Sequence, residues 1–283
     1  MNIGIVGLGL IGGSLALDLR HQHTILGVSR RPETCEQAIA RQIVAHASPD
    51  LALMAKADVV FLCTPLGAIE STVTQLLPHL SSSTILTDVG SVKGSVVEAI
   101  APHWQNFVGG HPMAGTAESG LNAALTGLFV NRPYVLTPID STPAKAVETV
   151  AELARSLQAQ VYHCSPEAHD RAVAWISHLP VMVSASLIAA CLSESSAEVL
   201  ALAQSIASSG FRDTSRVGGG NPELGRMMAE YNQDELVRSL HAYRHQLNQV
   251  ITQIEQSDWD AVQQLLTQTQ TARPQFLSAS EKE

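Results

Sequence analysis

The sequence predicts an α/β chain, with a doubly wound parallel sheet followed by an all-helical domain. Three observations carry this. The chain opens on an apolar strand, a G-x-G-x-x-G turn and a helix. Short apolar strands then alternate with helical stretches to about residue 163. From Pro166 to about residue 270 no good strand pattern recurs. Alternation with short connections makes a parallel sheet with helices on both faces. Pro166 suits the first turn of a helix, so the boundary is placed there, with one domain over 1–165 and a second over 166–283.

The bulk composition narrows the class. The 283 residues are 45% hydrophobic and 15% charged, enough for a substantial core. A formal net charge of −9 argues against a nucleic-acid surface, and 4% aromatics leave few stacking platforms. Cys35, Cys63, Cys164 and Cys191 are far apart with no C-x-x-C, which suggests reduced thiols in a cytoplasmic protein. A strand starting at residue 3 leaves no room for a signal peptide. Leu179 to Leu192 is apolar, but it reads as too short to span a bilayer and as a core helix.

The first strand is Ile3 to Val6. Gly7, Gly9 and Gly12 form the turn, and Leu15 to Leu19 continue as helix. In this context the motif is a dinucleotide-binding fingerprint of the Rossmann type. Gly7 permits the tight turn, Gly9 admits a pyrophosphate, and Gly12 lets helix and strand pack. The phosphates would meet the free N–H groups at the helix start, around Leu10 and Ile11. A glycine-rich turn in a buried hairpin is the plainer alternative, and the strand at Thr24 to Val28 after the helix argues against it.

That second strand ends at Ser29-Arg30-Arg31, where NAD-binding folds carry an acidic residue for the ribose hydroxyls. The first carboxylate here is Glu33. A serine and two arginines suit a 2′-phosphate, so the site favours NADP over NAD, against the alternative of a solvated basic turn. Glu33 to Arg41 reads as helix and Ala57 to Cys63 as strand. Thr64 and Pro65 follow at its carboxyl end, where ligands bind in such sheets. Ala68 to Leu77 reads as helix and Thr84 to Asp88 as strand, which places Asp88 with the cofactor contacts. Gly94 to Ile100 looks helical.

Phe107 and Val108 suggest a short strand, followed by a glycine-rich loop carrying His111. A lone histidine is more often structural, but a loop just past a strand is where reacting groups are positioned. A histidine there can be a general base near neutral pH. Tyr134 to Thr137 and Gln160 to His163 read as strands, with Ala144 to Leu157 as the helix between.

In the helical half, Asp170, Ala174 and His178 share one helix face by their spacing. Pro180 removes a helix hydrogen bond beside His178 and favours a kink. Gly210 to Pro222, with Arg212 and Arg216 among glycines, reads as an anion-binding loop; a solvated connection is the alternative, weaker for Arg216. Asp234 to Glu255 and Asp258 to Gln270 read as amphipathic helices. His241 and His245 have H-x-x-x-H spacing without a third ligand, so no metal site is assigned. The tail from Arg273 is polar and reads as frayed.

Five blocks in order resemble the prephenate/arogenate dehydrogenase family of tyrosine biosynthesis. They are Gly7 to Ser14, Asp88 to Lys93, Gly110 to Gly115, Ser177 to Pro180 and Gly210 to Arg216. The resemblance implies a Rossmann domain, a helical domain forming a homodimer, and oxidative decarboxylation of a cyclohexadienol. It implies that His111 takes the proton of the ring C4 hydroxyl while hydride leaves for the nicotinamide. Ser91 would orient His111, Arg216 would bind a substrate carboxylate, and His178, Gly115 and Thr116 would line the substrate pocket. The ring is the electron sink, so no metal is needed.

Two positions depart from the prephenate-type pattern. Ala117 stands where some prephenate enzymes have an acid, and Gly225 where some have a tryptophan. With Ser29-Arg30-Arg31 these tilt the expectation to NADP and arogenate, giving tyrosine. The alternatives are prephenate, giving 4-hydroxyphenylpyruvate, and dual specificity. A β-hydroxyacid dehydrogenase would rely on a lysine in its helical domain, and residues 166–280 contain none. A non-catalytic dinucleotide-sensing regulator is the rival from another class, opposed by the intact Ser91, His111 and Arg216.

Overall fold

The computed structural model describes residues 1–116 and 118–277. In chain order, β1 (Asn2–Val6), α1 (Leu10–Leu19), β2 (Thr24–Val28), α2 (Pro32–Ala40) and β3 (His46–Ser48) come first. Then follow β4 (Val59–Leu62), α3 (Leu66–Leu76), β5 (Ile85–Asp88), α4 (Gly94–Ile100) and β6 (Phe107–Pro112). β7 (Pro133–Thr137), α5 (Ala144–Ser156) and β8 (Gln160–His163) complete a sheet of order β3-β2-β1-β4-β5-β6-β7-β8. The first six strands have the 3-2-1-4-5-6 order of dinucleotide-binding sheets.

Alternation within each strand buries both faces of this sheet. Ile3, Ile5, Val59 and Phe61 pack with Leu15 of α1 and Val150 of α5. Val6, Val60, Leu62 and Leu86 pack with Ile69 and Val73 of α3 and Val97 of α4.

Three features of the sheet differ from the sequence expectation. β6 and β7 pair antiparallel, so the sheet is mostly rather than wholly parallel. β3 is an added edge strand of three residues, paired Leu26↔His46, too short to show an apolar run. β6 is six residues long, because its glycines let it lie close to its neighbours. A Cβ at Gly109 would stand 2.3 Å from Thr137 Oγ1, and one at Gly110 2.7 Å from the Asp88 carbonyl. His111 therefore lies on β6, paired with Val135, and not in a loop beyond it.

After β8 the chain is helical: α6 (Pro166–Val173), a π turn (Ala174–His178), α7 (Leu179–Leu192), α8 (Ala197–Ile206), α9 (Ser209–Ser215), a 3₁₀ turn (Arg216–Gly219) and α10 (Pro222–Tyr231). Ser165 caps α6 by accepting the Ala168 N–H at 3.2 Å, with Pro166 in the first turn. The π turn comes just before Pro180, which lacks the N–H a regular ladder needs.

Residues Pro166–Leu192 are one helical run of 27 residues, long and apolar enough by length and composition to cross a membrane. Leu179–Leu192 is itself 14 residues, as expected, but the expectation of a core helix is corrected. Within α7 only Leu179 and Ser184 are buried. The same run carries the buried His169, Asp170 and His178, which ties its first half to the protein interior.

Compactness divides the chain into Met1–Glu235 and Leu236–Glu283. The first helices after β8 belong with the sheet because they bond to it. Asp170 takes the N–H groups of Lys93 and Gly94, and the Tyr231 hydroxyl closes on Gly67, where a Cβ would be 3.0 Å away. The second unit holds the rest of α11 (Gln233–Glu255), α12 (Trp259–Ala272) and a 3₁₀ turn, Arg273–Phe276, where a frayed tail was expected. Residues 278–283 of that tail lie outside the described residues.

Candidate active site

The glycine turn sits between β1 and α1. Gly7 has φ +107° and donates its N–H to the Val28 carbonyl at 2.8 Å, so the turn is stitched to β2. A Cβ at Gly12 would lie 2.0 Å from the Gly7 carbonyl oxygen, whereas one at Gly9 would meet nothing within 4 Å. The turn is thus closed on its inner side and open at Gly9. α1 begins at Leu10 with no side-chain cap and no acidic residue in its first turn, which leaves its N–H groups and positive dipole end for an anion. Leu10 and Ile11 are half-buried there.

The register Val6↔Val28 and Val6↔Leu62 brings the carboxyl ends of β2 and β4 beside this turn. Ser29, Arg30 and Arg31 follow β2. Both arginines are exposed, and neither guanidinium bonds to a described residue. Ser29 Oγ accepts the Arg31 N–H at 3.3 Å. Thr64 follows β4 with its Oγ1 buried and unpartnered, and Pro65 caps α3.

Asp88 is expected among the cofactor contacts. It is fully buried and its carboxylate is spent internally. Oδ2 accepts from Lys93 Nζ and from the Gly90 N–H at 2.8 Å, and Oδ1 from the Gly110 N–H at 3.1 Å. Lys93 Nζ also donates to the Gly110 carbonyl at 2.8 Å. Burial lowers the Lys93 ammonium's pKa, opposed by Asp88 and Asp170. This buried pair clamps the backbone of β6 one residue before His111.

His111 is 8% exposed. Its Nδ1 lies 2.8 Å from His169 Nε2, with the two rings edge to face at 5.0 Å between centroids. His169 Nδ1 lies 2.8 Å from Asp170 Oδ1. That carboxylate also accepts the Lys93 and Gly94 N–H groups, each at 2.7 Å. Burial holds the His111 pKa well below the usual imidazole range, and His169, Lys93 and His178 push it the same way. An uncharged imidazole at neutral pH is what a general base requires.

The expected bond from Ser91 to His111 is absent. Ser91 Oγ is buried without a partner, and His169 takes the ring nitrogen instead. His178 is fully buried beside the same cluster. Asn232 Nδ2 donates to the Asp170 carbonyl at 2.9 Å and faces His178 Nδ1 at 3.1 Å. Nδ1 is therefore the acceptor and Nε2 carries the hydrogen, a buried donor with no partner. Burial pushes the His178 pKa down to about 4, with Asp170 opposing.

The stretch read as an anion-binding loop is helical: Arg212 lies on α9 and Arg216 opens the 3₁₀ turn. This turn is pinned to α7, because Ser184 Oγ accepts the Gly218 N–H and donates to the Thr214 carbonyl, both at 2.9 Å. Arg212 pairs with Asp213 in solvent, whereas the exposed Arg216 makes no bond to a described residue. Gly115 and Thr116 are exposed after β6, and Thr116 Oγ1 accepts the Glu118 N–H at 3.2 Å. Ala117 lies outside the described residues.

Sequence reasoning missed four members of the cluster: Lys93, His169, Asp170 as a carboxylate partner, and Asn232. Only Asp170 gave a signal, its shared face with His178. The bonds that bring in His169 and Asn232, and the one from the Lys93 N–H to Asp170, cross 54 to 77 positions, beyond any local pattern.

Comparisons with known proteins agree along the chain. The model of the prephenate dehydrogenase nucleotide-binding domain matches residues 15–163, and that of the prephenate dehydrogenase dimerization domain residues 165–268. The prephenate dehydrogenase of Bacillus subtilis is 34% identical over 265 residues, covering 90% of this chain and 70% of the relative. The cyclohexadienyl dehydrogenase of Zymomonas mobilis is 30% identical, covering 96% and 94%. Among solved structures, Synechocystis arogenate dehydrogenase is 52% identical with a TM-score of 0.89, covering 98% of this chain and all of that one. The prephenate dehydrogenase of Aquifex aeolicus, in complex with hydroxyphenyl propionate and NAD+, is 28% identical with a TM-score of 0.92, covering 98% of each. A strand–glycine turn–helix, a buried histidine at the end of β6, and matches to both domain models place this chain in the prephenate dehydrogenase family of oxidoreductases.

Proposed function

We propose that this protein oxidatively decarboxylates L-arogenate to L-tyrosine with NADP+ as hydride acceptor, acting as a homodimer in the cytoplasm. The observation that carries the reaction class is His111, buried, uncharged and held by one ring nitrogen, so that the other is left to act as base. The residues at the turn fit a dinucleotide: Gly9 is open on the side where a Cβ would stand, and Thr64 Oγ1 is an orphaned buried polar atom. When bound, the dinucleotide supplies the hydride acceptor at its nicotinamide ring.

The chain's own residues do the rest. Gly7, Gly9, Gly12 and the start of α1 hold the pyrophosphate, and Arg30 and Arg31 hold the 2′-phosphate. His111 accepts the proton of the ring C4 hydroxyl as that carbon becomes a ketone. The Ser91 hydroxyl and the His178 Nε2–H are unsatisfied buried groups available to the substrate. Arg216 takes a substrate carboxylate. Loss of the ring carboxylate as carbon dioxide restores aromaticity and drives the step.

Arogenate is supported by the 52% identity to the Synechocystis arogenate dehydrogenase, and by Ala117 and Gly225 at positions where some prephenate enzymes differ. The Zymomonas cyclohexadienyl dehydrogenase favours a second reading, turnover of both substrates. Steady-state assays of arogenate and prephenate, each with NADP+ and NAD+, separate them. We expect kcat/KM for arogenate with NADP+ to exceed each other combination by roughly tenfold or more. Equal values for the two substrates would establish the second reading, and a preference for prephenate would overturn the first.

A further inference from the structure

We propose that His169 and Asp170 form an internal relay behind His111, which sets the tautomer of the base and carries the positive charge away from it. This rests on His111 being the base of the proposed reaction. The inference comes from the order of hydrogen bonds. Asp170 is acceptor-only as a carboxylate, and both of its oxygens are anchored by backbone N–H groups of Lys93 and Gly94. His169 Nδ1, at 2.8 Å from Oδ1, is therefore its donor. In the proposed resting state His169 Nε2 is the acceptor, and His111 Nδ1 donates to it across 2.8 Å. The His111 hydrogen is thus fixed on Nδ1, and the lone pair on Nε2 is left for the substrate.

The same chain gives the accepted proton a second place to go. The substrate O–H bond breaks as the His111 Nε2–H bond forms. The His111 Nδ1–H bond then breaks as the His169 Nε2–H bond forms. His111 ends neutral in its other tautomer, and the charge rests on the His169 imidazolium against the Asp170 carboxylate. No atom or electron is left over: once product has left, the reverse shift moves the His169 Nε2 proton back to His111 Nδ1, and His111 Nε2 releases the substrate-derived proton to water.

Electrostatics favour that second location. The groups around His111 are the ammonium of Lys93 behind Gly110, His178 from the π turn, His169 from α6 and the Asp88 carboxylate at the end of β5. Asp88 is already neutralised by Lys93, and Tyr134 of β7, opposite Pro112, is a phenol kept protonated by burial. A cation on His111 meets Lys93 and His178 without a carboxylate of its own. A cation on His169 meets Asp170 at hydrogen-bond distance. His169 and Asp170 act on the reaction through His111, and both are positioning residues.

The test is His169→Gln in the full-length protein. Glutamine can accept from His111 Nδ1 through its Oε1 and so keep the tautomer, but it cannot take up the proton. Dinucleotide Kd and substrate KM should stay within about twofold, kcat should fall roughly 10- to 100-fold, and the acid limb of the kcat/KM profile should move to lower pH. The limb moves down because the wild-type limb reports a proton shared with His169 beside Asp170, whereas in the variant His111 alone must hold it, against burial above all and Lys93. An unchanged kcat, or a lower kcat with the limb unmoved, overturns the relay. Nitrogen-15 NMR of the histidines in wild-type protein gives a measure independent of any variant. His111 should be the Nδ1–H tautomer, and an Nε2–H signal overturns the proposal. His111→Asn, assayed alongside, keeps the two readings apart. If it retains wild-type kcat, the base assignment itself fails, whatever His169→Gln does.

Discussion

His111 and Arg30 mark two limits of reading single residues. His111 was legible as a base candidate from the glycines around it, yet what holds it was not. Its partner His169 is 58 positions away, and nothing in the composition around His169 announces a contact. Asp88 shows the reverse. Its place at the end of a strand suggested a ligand contact, but a buried ammonium five residues on takes its charge inward. Arg30 needs only local information, because it stands in solvent with no competing anion among the described residues. Arg30→Ala should therefore weaken NADP+ by about 10- to 100-fold, the worth of a charge-assisted hydrogen bond to phosphate of roughly 1.5–3 kcal/mol. NAD+ affinity should change little. Fluorescence titration with both dinucleotides measures this, and equal losses would remove Arg30 from a 2′-phosphate site.

Among the elements, those with strong local periodicity were the most legible. β1, β2, β4, β5 and α5 lie within a residue or two of their sequence expectation, because both faces of the sheet demand apolar side chains. The elements missed are those whose shape is set by neighbours. β6 extends through His111 because Gly109 and Gly110 are squeezed between Asp88 and Thr137. The expected anion loop folds into α9 and a 3₁₀ turn, since Gly218 packs against the α7 backbone, where a Cβ would be 2.4 Å from the Ala185 nitrogen. At the β1–α1 junction sequence and structure agree most closely. Gly12→Ala would drive a methyl into the Gly7 carbonyl, and we expect a stability loss of about 1–3 kcal/mol together with weaker dinucleotide binding. Chemical denaturation and dinucleotide titration of the variant check both, and an unchanged midpoint with normal affinity would refute the packing role.

At the scale of the whole molecule, apolar surface is left over. Leu202 and Ile206 of α8 are 58% and 69% exposed, and in the second unit Trp259 and Leu266 are 60% and 61% exposed. Together with the match to a dimerization domain, this much apolar surface argues that a second copy covers it. Light scattering should return twice the 30.1 kDa chain mass, and the double variant Leu202→Glu, Ile206→Glu should lower it with circular dichroism unchanged. A wild-type monomer at micromolar concentration would refute the dimer.

The sequence by itself determined the α/β class, the glycine turn, the family resemblance and the candidate base. Each is written in residues close together, where backbone sterics and strand or helix periodicity act. Only the tertiary structure decided what surrounds the base. The hold of Asp88 and Lys93 on Gly110, of His169 on His111 and of Asn232 on His178 joins segments 17 to 58 positions apart in the chain. Hydrogen bonds and charges among buried groups depend on distance in space, and no spacing along the sequence encodes that.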